Sequence, residues 1–154
     1  MKKKEFLTVF QEDLYLPDFK ATSKAEALSV LVDYLYAQKR VNNRQGVLNT
    51  LLERERLGST ALEKGVAIPH SRSMMVDRLT VAFGRFSPGI DYEATDGKPV
   101  DLVFLILAPP QDVGNQYLPF LGKLVEVLRD KKNRDALKTV ETFAQFRAVL
   151  EGAV

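Results

Sequence analysis

Gly65-Val-Ala-Ile-Pro-His-Ser-Arg-Ser73 is the stretch that decides how this chain folds, and it contains the only histidine in the sequence. Its three apolar residues, 66–68, predict a short buried strand. Pro69 has a fixed φ and no backbone N–H, which suits the end of a strand. We therefore expect His70 where the strand gives way to a loop, a common position for a reactive side chain.

Composition narrows the classes of protein to which the chain can belong. Its 154 residues, 45% hydrophobic and 27% charged, are typical of one globular domain. A net charge of +2 gives no reason to expect nucleic acid as a partner. The absence of cysteine excludes disulfides, thiol catalysis and thiolate metal sites, and a single histidine excludes a multi-histidine zinc site. With no signal segment, and no apolar run of the ~20 residues that span a membrane, we expect a cytoplasmic protein without direct membrane insertion.

The remaining sequence predicts helices on either side of a group of strands. Apolar residues at helical spacing, preceded by capping residues, predict helices that begin near residues 23, 43, 115, 133 and 142. Ser23 with Glu26, and Thr142 with Gln145, have the spacing of capping boxes. Residues 6–10 fit a short helix or strand, and 129–134 fit a solvated helix end.

Strands are predicted at 66–68, 79–86, 90–93 and 100–107, with turns at 87–89 and 96–99. The run 100–107 is the most apolar and is expected at the centre of the sheet. Together these elements predict one α/β domain, a mixed β-sheet flanked by helices on both faces.

The chemistry of His70 does not need cysteine or metal. A neutral imidazole is a good nucleophile near physiological pH and can accept a phosphoryl group directly. The negative charge that then appears needs cations or amide donors beside it. Arg54, Arg56 and Arg72 are the candidate cations, although each could be an ordinary solvated surface charge, which is the favoured interpretation of Arg56. Asp96 could be a site carboxylate, but its place in a turn is a sufficient explanation.

Gly65–His70 resembles the phosphorylation-site motif of the enzyme IIA domains of the bacterial phosphoenolpyruvate-dependent sugar phosphotransferase system, in the fructose/mannitol class. Three other segments are similar to this family and occur in the same order: 20–28, 51–60 and 96–109. The resemblance covers about residues 5–150. It implies the mannitol-type IIA fold and a single type-2 IIA domain over residues 1–154.

The resemblance also implies a role for the site. His70 would accept a phosphoryl group on Nε2, as tele-phosphohistidine, from the histidine-containing phosphocarrier protein. It would pass the group to a cysteine of a IIB domain, so the chain would be a phosphotransferase component that carries phosphate on its own side chain. Arg54 would stabilise the phosphoryl charge. No cofactor, nucleotide or metal is implied.

The chain departs from the family at one site position. These domains usually carry a second histidine near the start of the helix after the central strand, where this chain has Tyr117. A tyrosine hydroxyl can hydrogen-bond an imidazole or a phosphoryl oxygen but cannot become a cation. Packing at the start of the helix is the other interpretation of Tyr117.

A second function stays open beside that of a sugar phosphocarrier. The chain ends close to the expected end of the domain, so we expect a stand-alone form, which suits the nitrogen-regulatory branch of the family. Such a protein would control partner proteins through the phosphorylation state of His70, because phosphorylation changes the local charge by about −2. A domain that no longer accepts phosphate is a third reading, against which the intact Ile68-Pro69-His70 and Arg54 argue.

Overall fold

The computed structural model of the chain describes residues 1–154 and contains six α-helices and five β-strands. The helices are α1 Lys3–Val9, α2 Lys24–Ala37, α3 Arg44–Arg56, α4 Tyr117–Arg129, α5 Lys131–Thr139 and α6 Phe143–Ala153. The strands are β1 Tyr15–Phe19, β2 Val66–Ala67, β3 His70–Arg72, β4 Thr80–Ile90 and β5 Val100–Ala108. None of the helices has both the length and the apolar character needed to cross a bilayer.

β5 is the central strand, as its apolar sequence predicted. It pairs antiparallel with β4 on one side and parallel with β2 and β3 on the other, while β1 lies parallel to β4 at the outer edge. The sheet is therefore mixed, which confirms the predicted fold class. Pro109 and Pro110 follow β5 directly and cannot continue its hydrogen-bond ladder.

Both faces of β5 are buried, and side chains alternate between two apolar layers. The layer that contains α1, α4, α5 and α6 takes the side chains of Leu102, Phe104, Ile106 and Ala108. The layer that contains α2 and α3 takes those of Val103, Leu105 and Leu107. An uninterrupted apolar run is what a strand covered on both sides requires, and the helices on both faces confirm the predicted arrangement.

β2 and β3 form one edge of the sheet, interrupted at Ile68-Pro69. Val66 aligns with Leu102 and His70 with Ile106, so the register along β5 is unchanged across the interruption. Pro69 takes part in the ladder only through its carbonyl, which accepts a hydrogen bond from the N–H of Ile106 at 2.9 Å. The prediction that His70 begins a loop is therefore wrong: His70 is the first residue of β3.

Two features of the strands differ from the sequence predictions. β1 was not predicted; its Pro17 is tolerated because β1 lies at the sheet edge. The turn predicted at 87–89 is also wrong, since β4 continues to Ile90, which pairs with Val100 after a register shift. A bulge of this kind absorbs the proline and the glycine without ending the strand. Only Ile90 of the predicted strand 90–93 is extended and paired.

Three of the predicted helix starts are confirmed, and the other two helices begin at different residues from those predicted. Ser23, Asn43 and Thr142 are N-caps, and Thr142 forms a complete capping box with Gln145. At α2 the box is incomplete, because the carboxylate of Glu26 binds Thr22 instead of the backbone of Ser23. The short element predicted at 6–10 is the end of α1, which begins earlier at Lys3.

α4 and α5 begin where backbone geometry and capping allow. Gly114 and Asn115 have φ values of +86° and +51°, so neither can start α4, which begins at Tyr117. Asp130 caps α5, which begins at Lys131 and not at the predicted Asn133. Residues 129–134 are not simply a solvated helix end, since Arg134 is buried and its Nη1 donates to the last carbonyls of α4.

The capping box of α6 should make a measurable contribution to stability. Thr142→Ala removes the side-chain acceptor for the N–H of Gln145, and we expect it to lower the free energy of unfolding by about 1 kcal/mol in urea titrations. Thr139→Ala, three residues earlier, removes only an exposed hydroxyl that donates to Ala136 and should change stability by less than about 0.5 kcal/mol. Equal losses in the two variants would contradict the capping argument.

Candidate functional site

The imidazole of His70 is held in one tautomer by the backbone just before it. Its Nδ1 lies 2.7 Å from the carbonyl oxygen of Ile68. A carbonyl can only accept a hydrogen bond, so Nδ1 carries the proton and donates it. Nε2 then keeps a free lone pair, and Nε2 is the nitrogen that can act as a nucleophile.

The register of β3 decides which side of the sheet the site occupies. His70 and Arg72 align with Ile106 and Ala108, whose side chains face the α4 layer. Neighbouring residues in register point to the same face of a sheet. His70 and Arg72 therefore emerge together on the α4 side, and the intervening Ser71 does not.

Tyr117, the first residue of α4, lies against both of these side chains. Its ring centroid is 6.5 Å from that of His70, in an edge-on arrangement, and 4.9 Å from Cζ of Arg72. Asp112 fixes this helix start, because its carboxylate accepts the backbone N–H groups of Gln116 and Tyr117. Burial raises the pKa of Tyr117, and the positive charges of Arg72 and Arg54 oppose that rise. Tyr117 therefore stays neutral.

The three candidate arginines take different positions. Arg72 lies over Tyr117, and its Nη1 donates to the carbonyl of Pro109 at 3.3 Å. Arg54, in the last turn of α3, donates from Nη1 to the carbonyl of Gly58 at 2.8 Å and lies close enough to Tyr117 to affect its pKa. Arg56 is exposed and pairs with Glu53 at 2.5 Å, as expected of a surface charge. Two of the three cations thus lie near Tyr117, whose ring is beside His70.

Glu55 is a buried charged residue that sequence reasoning did not identify as part of the site. Its carboxylate accepts the backbone N–H of Thr60 at 3.0 Å and is also bound by the Thr60 hydroxyl. The carbonyl of Thr60 in turn accepts the N–H of Ile68 at 3.1 Å, and the carbonyl of Ile68 accepts the proton of His70. A chain of hydrogen bonds therefore connects the end of α3 to the imidazole.

Polar neighbours of Glu55 offset the free-energy cost of burying its carboxylate. Lys24 lies 3.7 Å from one carboxylate oxygen, and the hydroxyl of Tyr92 donates to the other at 3.3 Å. Burial raises the pKa of Tyr92, so the hydroxyl stays protonated and remains a donor. The pattern that could have signalled this network is a glutamate on the apolar stripe of α3, four residues after the buried Leu51.

Asp96 has the structural role that its turn position indicated. Its two carboxylate oxygens accept the backbone N–H groups of Lys64 at 2.9 Å and Lys98 at 3.1 Å. These bonds hold the pKa of Asp96 below its usual range. Asp96 thus connects the turn before β5 to Lys64, the residue before Gly65.

His70 is half-buried and does not line any of the main clefts. The main clefts, including one of about 670 Å³ between the end of α2 and residues 74–77, do not contain it. No group of three or more His, Cys, Asp or Glu side chains is arranged to hold a metal ion.

Large exposed apolar side chains occur close to the site residues along the chain. Four of the five lie within four residues of Arg54, Arg72 or Tyr117: Leu57, Met74, Val113 and Leu118, which are 85%, 81%, 88% and 68% exposed. Leu57 follows α3, Met74 follows β3, and the other two precede and follow the start of α4. We call these four residues the apolar rim. Apolar surface of this kind commonly marks a protein-binding face.

Comparison with known proteins identifies relatives along nearly the whole chain. Residues 8–153 match the family described as "Phosphoenolpyruvate-dependent sugar phosphotransferase system, EIIA 2". A nitrogen regulatory protein of Bradyrhizobium diazoefficiens is 41% identical over 116 residues, which is 75% of this chain and 74% of the relative. A fructose-specific EIIA component of Haloferax volcanii is 36% identical over 132 residues, 86% of this chain and 85% of the relative.

Solved structures share the fold. The nitrogen regulatory protein IIA-Ntr of Neisseria meningitidis superposes with a TM-score of 0.86 at 33% identity, over 95% of this chain and 99% of that one. The mannitol enzyme IIA of Escherichia coli, solved in complex with phosphorylated mannitol enzyme IIB, gives a TM-score of 0.77 at 20% identity, over 93% of this chain and 97% of that one.

The buried carboxylate of Glu55 should contribute far more to the free energy of unfolding than the exposed carboxylate of Glu53 on the same helix. We expect Glu55→Gln to lower the free energy of unfolding by about 2 kcal/mol, because it weakens several buried hydrogen bonds to a charged group. Glu53→Gln, which loses only an exposed ion pair, should change it by less than about 0.5 kcal/mol. Urea unfolding of the two variants measures both free-energy changes. Similar losses would contradict a special contribution of the buried Glu55 hydrogen bonds to stability.

Proposed function

The chain belongs to the EIIA 2 family of the phosphoenolpyruvate-dependent sugar phosphotransferase system, and on that premise we propose that it carries a phosphoryl group on Nε2 of His70. The observation that carries the proposal is the hydrogen bond from Nδ1 to Ile68, which leaves Nε2 as the free nucleophile. We propose that residues 1–154 act as one type-2 IIA domain in the cytoplasm.

The donor in this proposal is the histidine-containing phosphocarrier protein. The lone pair of Nε2 attacks the phosphorus atom, an N–P bond forms, and the N–P bond to the donor imidazole breaks with its electron pair remaining on the donor. The proton on Nδ1 stays hydrogen-bonded to Ile68 throughout. Arg54, on the same side as Tyr117, is proposed to stabilise the charge of the transferred group.

The acceptor in the first candidate function is a cysteine thiolate of a IIB domain. Its sulfur attacks the phosphorus atom, an S–P bond forms, and His70 regains its lone pair as the N–P bond breaks. The mannitol enzyme IIA that shares this fold was solved with a phosphorylated IIB partner, and the similarity to a fructose-specific EIIA component supports the same type of acceptor.

The second candidate function is regulation of partner proteins by the phosphorylation state of His70. It is favoured by the similarity to nitrogen regulatory proteins, at 41% identity in sequence and at a TM-score of 0.86 in structure. Tyr117 at the position of the second histidine also favours it, because a neutral side chain supplies no positive charge for rapid onward transfer. A phosphoryl dianion beside the apolar rim would alter the charge of a partner-binding surface.

The apolar rim supports a protein as donor and as acceptor. A small phosphorylated substrate would need a cleft around the imidazole, whereas His70 lies outside the main clefts. A protein donor needs no such cleft, because its surface can cover exposed apolar side chains such as Leu118, next to Tyr117, and bring its own phosphohistidine to Nε2.

Phosphorylation of His70 is tested by intact mass spectrometry with phosphoenolpyruvate, enzyme I and the histidine phosphocarrier, without acid, which hydrolyses phosphohistidine. We expect the wild type and Ser71→Ala each to gain one phosphoryl group and His70→Gln to gain none. Adding IIB proteins then separates the two candidate functions, since a carrier loses the group to the IIB cysteine and a regulator keeps it. No gain in the wild type would overturn both.

Docking through the apolar rim can be separated from the chemistry of His70 by changing the donor. Leu118→Glu places a charge on the rim, and we expect it to slow phosphorylation by the phosphocarrier protein by roughly tenfold or more. Phosphorylation by phosphoramidate, a small donor that needs no docking surface, should be unchanged within about twofold, because the substitution does not touch the imidazole. Equal slowing with both donors would contradict a docking role.

A further inference from the structure

We propose that Arg72, held against the ring of Tyr117, supplies a second positive charge to the phosphoryl group on His70, an inference that rests on the proposed function. In this arrangement Arg72 contacts the reacting phosphoryl oxygens and is a catalytic residue. Tyr117 acts through Arg72 and is a positioning residue. This role of Tyr117 depends on its ring and not on its hydroxyl.

The placement of Arg72 follows from strand geometry. Residues two apart on a β-strand lie on the same face, so Arg72 shares the face of His70. Their partners on β5, Ile106 and Ala108, face the α4 layer as well. The guanidinium of Arg72 can extend along β3 toward Nε2 of His70 while the Arg72 backbone remains paired with β5.

Tyr117 provides a surface that limits where the guanidinium can go. Cζ of Arg72 is 4.9 Å from the ring centroid, within the roughly 6 Å over which a cation is attracted to the face of an aromatic ring. Tyr117 is buried, and Asp112 fixes the backbone at its helix start, so the ring is a rigid support. The same ring lies edge-on to His70, with the two ring centroids 6.5 Å apart, so the guanidinium and the imidazole are both neighbours of one side chain.

The guanidinium of Arg72 is also available for an anion. Five other arginines pair with a carboxylate within 4.0 Å: Arg40, Arg44, Arg56, Arg78 and Arg147. Arg72 has no such partner, and the only hydrogen bond of its guanidinium is the one to the carbonyl of Pro109. A guanidinium carries several N–H donors, so most of them remain free for phosphoryl oxygens. The nearby carboxylate of Asp112 is already occupied by two backbone N–H groups.

The contribution of Arg72 is electrostatic, and it changes no bond in the transfer step. The phosphoryl oxygens carry negative charge as the group moves to Nε2, and fixed donors directed at those oxygens stabilise it. Arg54 approaches from the end of α3 and Arg72 from β3, so the two cations would bind the group from different elements. Because Tyr117 stays neutral, the positive charge at the site comes from these two arginines.

The test is a double-mutant cycle on the rate of phosphohistidine formation, measured by ³¹P NMR with phosphoramidate and by intact mass with the phosphocarrier protein. We expect Arg72→Gln to lower the rate roughly tenfold, which is modest for loss of one charged donor because the site is partly exposed. Tyr117→Leu, which removes the ring, should lower it about threefold. Tyr117→Phe, which keeps the ring, should stay within about twofold of the wild type.

Whether the rate losses of the Arg72 and Tyr117 variants are coupled shows whether Tyr117 positions Arg72 or packs independently of it. The double variant Arg72→Gln/Tyr117→Leu should react no more slowly than Arg72→Gln alone, because the ring acts only through the guanidinium. Arg72→Lys should recover part of the rate, since it keeps the charge but not the planar contact. Arg78→Gln, in the segment between β3 and β4 and paired with Asp77, is the matched control and should leave the rate unchanged.

Each outcome bears on the proposal. Equal rates in the wild type, Arg72→Gln and Tyr117→Leu would overturn it while leaving His70 as the phosphoacceptor. Additive losses, or a loss in Tyr117→Phe as large as in Tyr117→Leu, would overturn the positioning role of the ring. A wild type that forms no phosphohistidine with either donor would overturn the proposed function and this inference with it. Urea unfolding of each variant ensures that rates are compared between folded proteins.

Discussion

The hydrogen bond between Nδ1 of His70 and the carbonyl of Ile68 is the interaction on which the site depends. It forms because Pro69 interrupts the edge of the sheet without changing its register along β5. At the interruption the carbonyl of Ile68 is available to a side chain, while that of Pro69 still pairs with Ile106. A local break in one edge strand thus fixes which imidazole nitrogen keeps the free lone pair.

The rest of the molecule holds that break in place from two directions. β5, buried on both faces, supplies a rigid neighbour for β2 and β3. From the other side, Glu55 at the end of α3 holds Thr60, whose carbonyl accepts the N–H of Ile68. A buried charge is costly unless it is paired, and here Lys24 and two hydroxyl donors accompany the carboxylate. The same helix carries Arg54, so one element provides both support and charge.

Much of this architecture was predictable from local sequence. The central strand, the N-caps Ser23, Asn43 and Thr142, and the layers on both faces follow from periodicity and capping chemistry. The errors occur where long-range pairing overrides local preference. β4 continues through 87–89 because Ile90 has a partner in Val100, and β3 forms after a proline because β5 offers a free edge.

The site was predictable in part, for the same reason. His70 and the arginines are recognisable by residue type and motif, but their relative positions depend on the register of β3 and the start of α4. Glu55 resembles a surface residue of a charged helix end, and only the folded chain brings Lys24 and Tyr92 to it. The contact between Arg72 and Tyr117 joins residues 45 positions apart and leaves no local signal in the sequence.

The most direct test of the account is long-range ¹H–¹⁵N correlation NMR of His70, the only histidine, before and after phosphorylation. We expect the Nδ1 of His70 to carry the proton in the free protein and the phosphorylated protein to have its N–P bond at Nε2. An imidazole protonated at Nε2, or a phosphoryl group on Nδ1, would contradict it, because either would mean that the carbonyl of Ile68 does not direct the chemistry of His70.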